Sequence, residues 1–101
     1  MQVVLDSFYA EIRTYDVSQG CATFDSDSAL REDDVICIFE SGLMTHVGKL
    51  KKSEGENQVL SKIGLGRIVR SNLGFLTRSY SADAVTVYRL IPRERERASK
   101  N

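Results

Sequence analysis

The chain has 101 residues, of which 42% are hydrophobic and 28% charged, enough for a single domain with its own core. Its longest apolar run, residues 35–39, is too short to cross a bilayer, and the N-terminus lacks the features of a signal peptide. We therefore expect a cytoplasmic protein with no membrane segment. One histidine and two cysteines without a Cys-x-x-Cys pair provide no metal-ligand spacing, so no metal or other cofactor is expected.

The formal net charge is zero, but the charges are unevenly distributed along the chain. Residues 1–40 carry nine acidic and two basic side chains, a net charge of −7, whereas residues 41–101 carry twelve basic and five acidic side chains, a net charge of +7. This asymmetry can attract an anionic partner to the C-terminal part or hold two parts of one fold together. It can also disperse over the folded surface, and the sequence leaves these alternatives open.

The first third of the chain predicts a helix followed by a polar connection. Residues 3–15 place apolar side chains one, three and four positions apart, which is the spacing of one helix face. Residues 21–34 are rich in Ser and Asp and have no clear periodicity, although one turn of helix fits at residues 28–32.

The rest of the chain predicts a sheet. Apolar, β-branched or alternating segments at residues 35–40, 46–51, 58–62, 68–70 and 84–91 indicate five short strands. The first is apolar at nearly every position, so we expect both of its faces to be covered. A helical turn is predicted at residues 72–76, and the charged tail, residues 92–101, is expected to be disordered.

These elements predict a single α+β domain over residues 1–91. Its N-terminal helix would pack on a curved, mostly antiparallel sheet of four or five strands. Exposed sheet edges further predict a homodimer or larger assembly, formed through a sheet edge or through the N-terminal helix.

Four stretches occur in the order DDVICIF, THVGKL, VLSKIGLGRIV and SYSADAVTVYRL. Together they resemble the second half of NlpC/P60-like proteins, a branch of the papain-like cysteine peptidase superfamily, over residues 31–90. The resemblance implies that His46 is the general base for a cysteine nucleophile, and that Ser61 or Lys62 lies near the position that orients its ring. It also implies that Gly48 leaves room for substrate beside the ring.

The chain departs from this family where the nucleophile should be. Cys21 is the one candidate, but it lies 25 residues before His46 in a polar connection rather than at a clear helix start. Cys37 lies within the apolar strand, where a buried and inert thiol is expected. The resemblance therefore implies a shortened relative without a nucleophile.

Two functions remain for this region. The first is a non-catalytic binding module that holds a small anionic molecule or a protein partner over the face that carries His46. Its expected ligand-binding residues are His46, Gly48, Ser61, Lys62, Gly64, Gly66, Arg67 and Arg70. The glycines allow close backbone approach, and the cations can pair with a carboxylate or phosphate.

The alternative is a cysteine amidase or peptidase that uses Cys21 and His46, for which the sulfur must lie within hydrogen-bond reach of the ring. Nucleic-acid binding is disfavoured. Basic residues are present, but neither a helix-turn-helix pattern nor aromatic residues suited to base stacking are evident.

Overall fold

The computed structural model describes residues 7–63 and 66–92 of the chain. Within these residues, six strands form one antiparallel sheet in the order β1-β6-β2-β3-β4-β5. The strands are β1 (Ser7–Asp16), β2 (Val35–Glu40), β3 (Leu43–Ser53), β4 (Glu56–Ile63), β5 (Arg67–Ser71) and β6 (Ala84–Pro92). The helical segments of the same residues are a 3-10 turn at Val17–Gln19, α1 (Ala22–Asp25) and α2 (Leu73–Ser79).

The N-terminal segment is a strand, so the helix predicted over residues 3–15 is wrong where the structure describes it; residues 3–6 lie outside the described part. The register of β1 against β6 shifts between Glu11 and Arg13. Such a bulge inserts one extra residue into a strand. As a result Ile12 and Tyr15, three positions apart, both pack against the core. The bulge thus produces the apolar spacing that also fits a helix.

The predicted α+β fold, with a helix on a sheet of four or five strands, is therefore wrong. The described residues form mainly sheet, with six strands and a single helix longer than one turn. The antiparallel strand arrangement is confirmed. β2 has its predicted bounds, and β3 to β6 each contain their predicted segment. The helical turn expected at residues 28–32 is wrong, because these residues form turns and irregular backbone and α1 precedes them. Most of the charged tail, residues 93–101, lies outside the described part.

The helices cover one face of the sheet, which we call the covered face. Phe24 of α1, Leu30 of the following connection, and Leu73 and Leu76 of α2 are all almost fully buried. They share one cluster with alternate strand residues: Tyr15, Ile36, Ile38, Leu50, Val59, Val85 and Val87. Because side chains alternate along a strand, the intervening residues lie on the opposite side, which we call the outer face.

Polar side chains of the sheet fix the connection between β1 and β2 in place. The Tyr15 hydroxyl donates to Asp27 Oδ2 at 2.6 Å, and this bond lowers the pKa of the Asp27 carboxyl. Asn57 Nδ2 of β4 donates to the carbonyl oxygens of Phe24 at 2.7 Å and Asp27 at 2.9 Å. Two strands that are far apart in the sheet thus hold the same loop.

A buried ion pair anchors the end of this connection. Arg89 of β6 donates from Nε to Asp34 Oδ1 and from Nη2 to Asp34 Oδ2, both at 2.8 Å. Asp34 Oδ2 also accepts from the backbone N–H of Arg31, and Arg89 Nη2 donates to the carbonyl of Ala29. Asp34 is 3% exposed, so its negative charge is balanced mainly by the guanidinium of Arg89 and not by water. This two-bond geometry is specific to arginine.

Arg89→Met should destabilise the fold strongly, because it leaves the buried Asp34 carboxylate without a counter-charge. Breaking one side of a buried pair costs about 3–5 kcal/mol. The measurement is the free energy of unfolding in urea at pH 7. Arg31→Met is the matched control, because its exposed side chain forms no ion pair among the described residues; we expect a change within about 0.5 kcal/mol. Equal losses in both variants would contradict this assignment.

Candidate functional site

His46 lies on β3 and faces the helix layer. Its ring stacks on that of Tyr80, at the C-terminal end of α2, with ring centroids 4.3 Å apart and planes 17° from parallel. The Nε2 atom is buried and has no hydrogen-bond partner among the described residues. Burial lowers the pKa of the imidazole below its usual value. The ring is therefore neutral at pH 7 and packs mainly as an aromatic group.

Gly48 and Ser61 lie next to each other on the same covered face. A Cβ atom added at Gly48 would lie 2.6 Å from Val59 Cγ1, 3.0 Å from the Leu60 carbonyl oxygen and 3.2 Å from Ser61 Cβ. Glycine is thus required here for close packing of β3 on β4. Ser61 is 3% exposed, and its hydroxyl also has no partner within the described part of the chain. The structure therefore brings His46, Gly48 and Ser61 into one region.

The remaining predicted ligand-binding residues are not gathered there. Lys62 follows Ser61 along β4 and so points to the outer face, as does Arg70, which is opposite Leu60 in the register. Arg67 and Gly66 are exposed at the start of β5, where Gly66 has a φ of +86°. Gly64 lies outside the described residues. The predicted set is thus divided between two faces of the sheet.

Cys21 does not pair with His46. Its sulfur is half-buried at the start of α1 and lies 3.9 Å from the Thr77 hydroxyl of α2. Across residues 7–63 and 66–92, neither ring nitrogen of His46 forms a hydrogen bond with this sulfur. Cys37 is buried in β2, and burial raises the pKa of its thiol. Within the described part of the chain, neither cysteine has the contact with a base that activates a thiolate.

The outer face is a feature that the sequence patterns above did not single out. Its exposed apolar side chains, 45–66% accessible, are Tyr9, Met44, Val47, Ile68 and Leu90. At its centre, a shallow groove of about 380 Å³ is lined by Tyr9, Val35, Cys37, Phe39, Met44, Val47 and Tyr88. The sequence feature that indicates this face is the uninterrupted apolar run of β2. Alternate residues of this run lie in the core, and the residues between them line the groove.

A second cavity, of about 270 Å³, adjoins one end of the groove. Tyr9 and Val35 line both, and the second cavity also has charged walls that include Arg31, Asp34, Lys49 and Arg89. Asp34 and Arg89 are already paired there. The apolar groove is therefore bordered by charged groups at this end.

Comparisons with known proteins identify no relative of this chain: no protein-family model, curated protein or solved structure matches it. The resemblance to NlpC/P60-like proteins therefore stays a prediction. No group of side chains suited to hold a metal ion occurs in the described residues. None of their helices is both long enough and apolar enough to span a membrane.

Gly48→Ala tests the packing role of this glycine. The added methyl group overlaps Val59 and backbone, so we expect a loss of about 1–3 kcal/mol in the free energy of unfolding. Gly74→Ala is the matched control, because its Cβ would meet only ordinary contacts, at 3.4 and 3.5 Å. Within α2 it should gain up to about 1 kcal/mol. A neutral Gly48→Ala variant would show that β3 and β4 are less closely packed than described.

Protonation of His46 should weaken the fold. Its folded pKa lies below the unfolded value of about 6.5, so the unfolded chain binds more protons between these two values. The free energy of unfolding should therefore fall as pH drops from 7 to 5 and be highest above the unfolded pKa. The measurement is urea unfolding at a series of pH values.

His46→Phe should keep the stack on Tyr80 and reduce this slope. The Asp25 carboxyl, whose pKa is raised by burial, contributes with the opposite sign, but it is unchanged in the variant. The difference between the two pH profiles therefore isolates the imidazole. Identical slopes in both proteins would refute the assignment.

Proposed function

We propose that this chain is a non-catalytic binding module that recognises a protein partner through its outer face. The observation that carries the proposal is the exposed apolar surface centred on Val47 and Met44. Contiguous apolar patches of this kind are uncommon on monomeric proteins and mark interaction sites. Charged residues border this surface, as the rim of a protein interface requires.

A protein partner fits this surface better than a small anionic molecule. The exposed apolar side chains extend from Tyr9 on β1 to Ile68 on β5, the two edge strands of the sheet. A small ligand would cover only the central groove and leave most of this area in water. The region around His46, in contrast, is occupied by the ring of Tyr80.

The cysteine hydrolase alternative lacks the geometry it needs. A nucleophile and its base must lie within hydrogen-bond reach, at about 2.6–3.2 Å or somewhat longer without substrate. The sulfur of Cys21 contacts Thr77 instead. We infer that the chain binds rather than hydrolyses, and that Cys21→Ser leaves its association with a partner unchanged.

The relationship to NlpC/P60-like proteins remains part of this proposal. It is supported by the order of the four matching stretches, which lie in turn on β2, on β3, on β4 and β5 together, and on β6. In such a relative the sheet would be kept while catalysis is lost. A cytoplasmic location is likewise an expectation from the sequence.

Site-specific photo-crosslinking tests the proposed surface. A benzophenone amino acid replaces Tyr9 on the outer face or, as the matched control, Phe75 on α2; both are exposed aromatic residues. The purified protein and cells that express it are then irradiated. We expect intermolecular protein adducts from position 9 and few from position 75.

A second substitution makes the test specific. Val47→Lys should abolish the adducts from position 9, whereas Phe75→Lys should retain them; Val47 and Phe75 are equally exposed, at 45%. Absence of intermolecular adducts at position 9, or equal yields from both positions, would overturn the proposal.

A further inference from the structure

The strand register places one row of outer-face residues across all six strands. In spatial order the row is Glu11, Tyr88, Val35, Lys49, Leu60 and Arg70. It begins with an acid on edge strand β1, continues through apolar side chains beside Lys49, and ends with a cation on edge strand β5. Neither Glu11 nor Arg70 forms an ion pair among the described residues.

Each neighbouring row carries one end of this polarity, Asp16 of β1 in one row and Lys62 of β4 in the other. Asp16 lies opposite Ala84, and Ala84 opposite Phe39, which in turn pairs with Met44. The acids of the outer face that lie on strands are Glu11 and Asp16 of β1, whereas the cations Lys49, Lys62 and Arg70 lie on β3, β4 and β5. Lys51 of β3 lies on the same face and is already paired with Glu32 and Asp33. The apolar centre lies on β2 and β3, which are the two middle strands of the sheet.

We propose that the partner is a second copy of this chain, packed face to face around a two-fold axis that runs parallel to the strands between β2 and β3. This inference rests on the proposed function and specifies its partner. The rotation reverses the strand order of the second copy. Glu11 then faces Arg70 of the second copy, and Tyr88 faces its Leu60.

The same rotation sets Val35 against Lys49 of the second copy and pairs apolar residues in the two neighbouring rows. Cys37 and Val47 are opposite each other within one sheet, as are Phe39 and Met44. Across the axis, Cys37 faces Val47 of the second copy and Phe39 faces its Met44. Both sets of facing residues interdigitate as in a β-sandwich, in which sheets pack about 10 Å apart.

Charge selects this axis over the perpendicular one. A two-fold axis at right angles to the strands would place β1 against β1 and so bring Glu11 and Asp16 towards the same acids of the second copy. It would also bring the cations of β5 together. Like charges opposed in an interface are unfavourable, whereas the parallel axis joins opposite charges at both edges.

The available area agrees with a homodimer of moderate affinity. Six strands spaced about 4.8 Å apart, with about six residues each at about 3.4 Å, make a flat footprint of roughly 600 Å². Projecting side chains increase the accessible area that is buried. A standard interface buries about 800 Å² per partner, so the outer face is close to the size that a specific dimer needs.

Sedimentation of the purified 101-residue chain tests the assembly. At tens of micromolar we expect twice the monomer mass. Val47→Lys adds two charges near the axis, next to Lys49 of each copy, and should raise the dimer dissociation constant roughly 100-fold or more. Phe75→Lys should leave it unchanged. A monomeric wild-type protein, or equal weakening by both variants, would overturn the homodimer.

A charge-swap experiment tests the axis. Glu11→Arg and Arg70→Glu should each weaken their own homodimer roughly tenfold or more, because like charges then face each other twice. Mixing the two variants should restore association, since both edge pairs in the mixed dimer are again opposite in charge. Circular dichroism confirms that each variant is folded. Failure of the mixture to associate better than either variant alone would overturn this axis.

The outcomes for the partner and for the proposed function are separable. The first case is a monomer in sedimentation that crosslinks from position 9 to a different protein, with crosslinks that are lost in the Val47→Lys variant. This result overturns the homodimer and supports the binding surface. A monomer without intermolecular crosslinks overturns both.

Discussion

The ion pair between Asp34 and Arg89 holds the connection from β1 to β2 against one face of the sheet. It fixes the end of the connection from β1 to β2 on β6, and Asn57 fixes the middle of that connection on β4. With these contacts formed, Phe24 and Leu30 are buried in one cluster with Ile36 and Val87. Since a single six-stranded sheet has two faces, covering one with the helices and this connection leaves apolar residues of the other face exposed.

The sequence predicts the fold well where two-residue alternation is regular. β6 alternates cleanly because Val85 and Val87 pack in the core while the residues between them lie on the outer face. β2, which is apolar on both faces, was found with its predicted bounds from its β-branched and aromatic content. β1 was misread because its bulge places Ile12 and Tyr15 on the same face. A bulge depends on the pairing partner, here β6, which is more than sixty residues away in sequence. Local spacing alone therefore cannot distinguish this strand from a helix.

The candidate site was predictable only in part, for a similar reason. Strand alternation correctly places His46 and Gly48 on one face, and it also separates Ser61 from Lys62. It does not show that Tyr80 stacks on His46, because α2 returns to β3 through a tertiary contact. Nor does it show that Gly48 is needed for packing against Val59. The family resemblance attributes chemistry to these residues, whereas their surroundings explain them as packing.

The charge asymmetry of the chain acquires a structural meaning through the strand order. Several acids of the N-terminal part form ion pairs in the connection from β1 to β2. Asp27 pairs with Arg13, Asp34 with Arg89, and both Glu32 and Asp33 with Lys51. The acids left on the outer face lie on β1. Because β3, β4 and β5 are contiguous and come from the basic part, their cations collect at the other side. An asymmetry along the sequence thus becomes a gradient across a surface, and a gradient of this kind is complementary to its own two-fold copy.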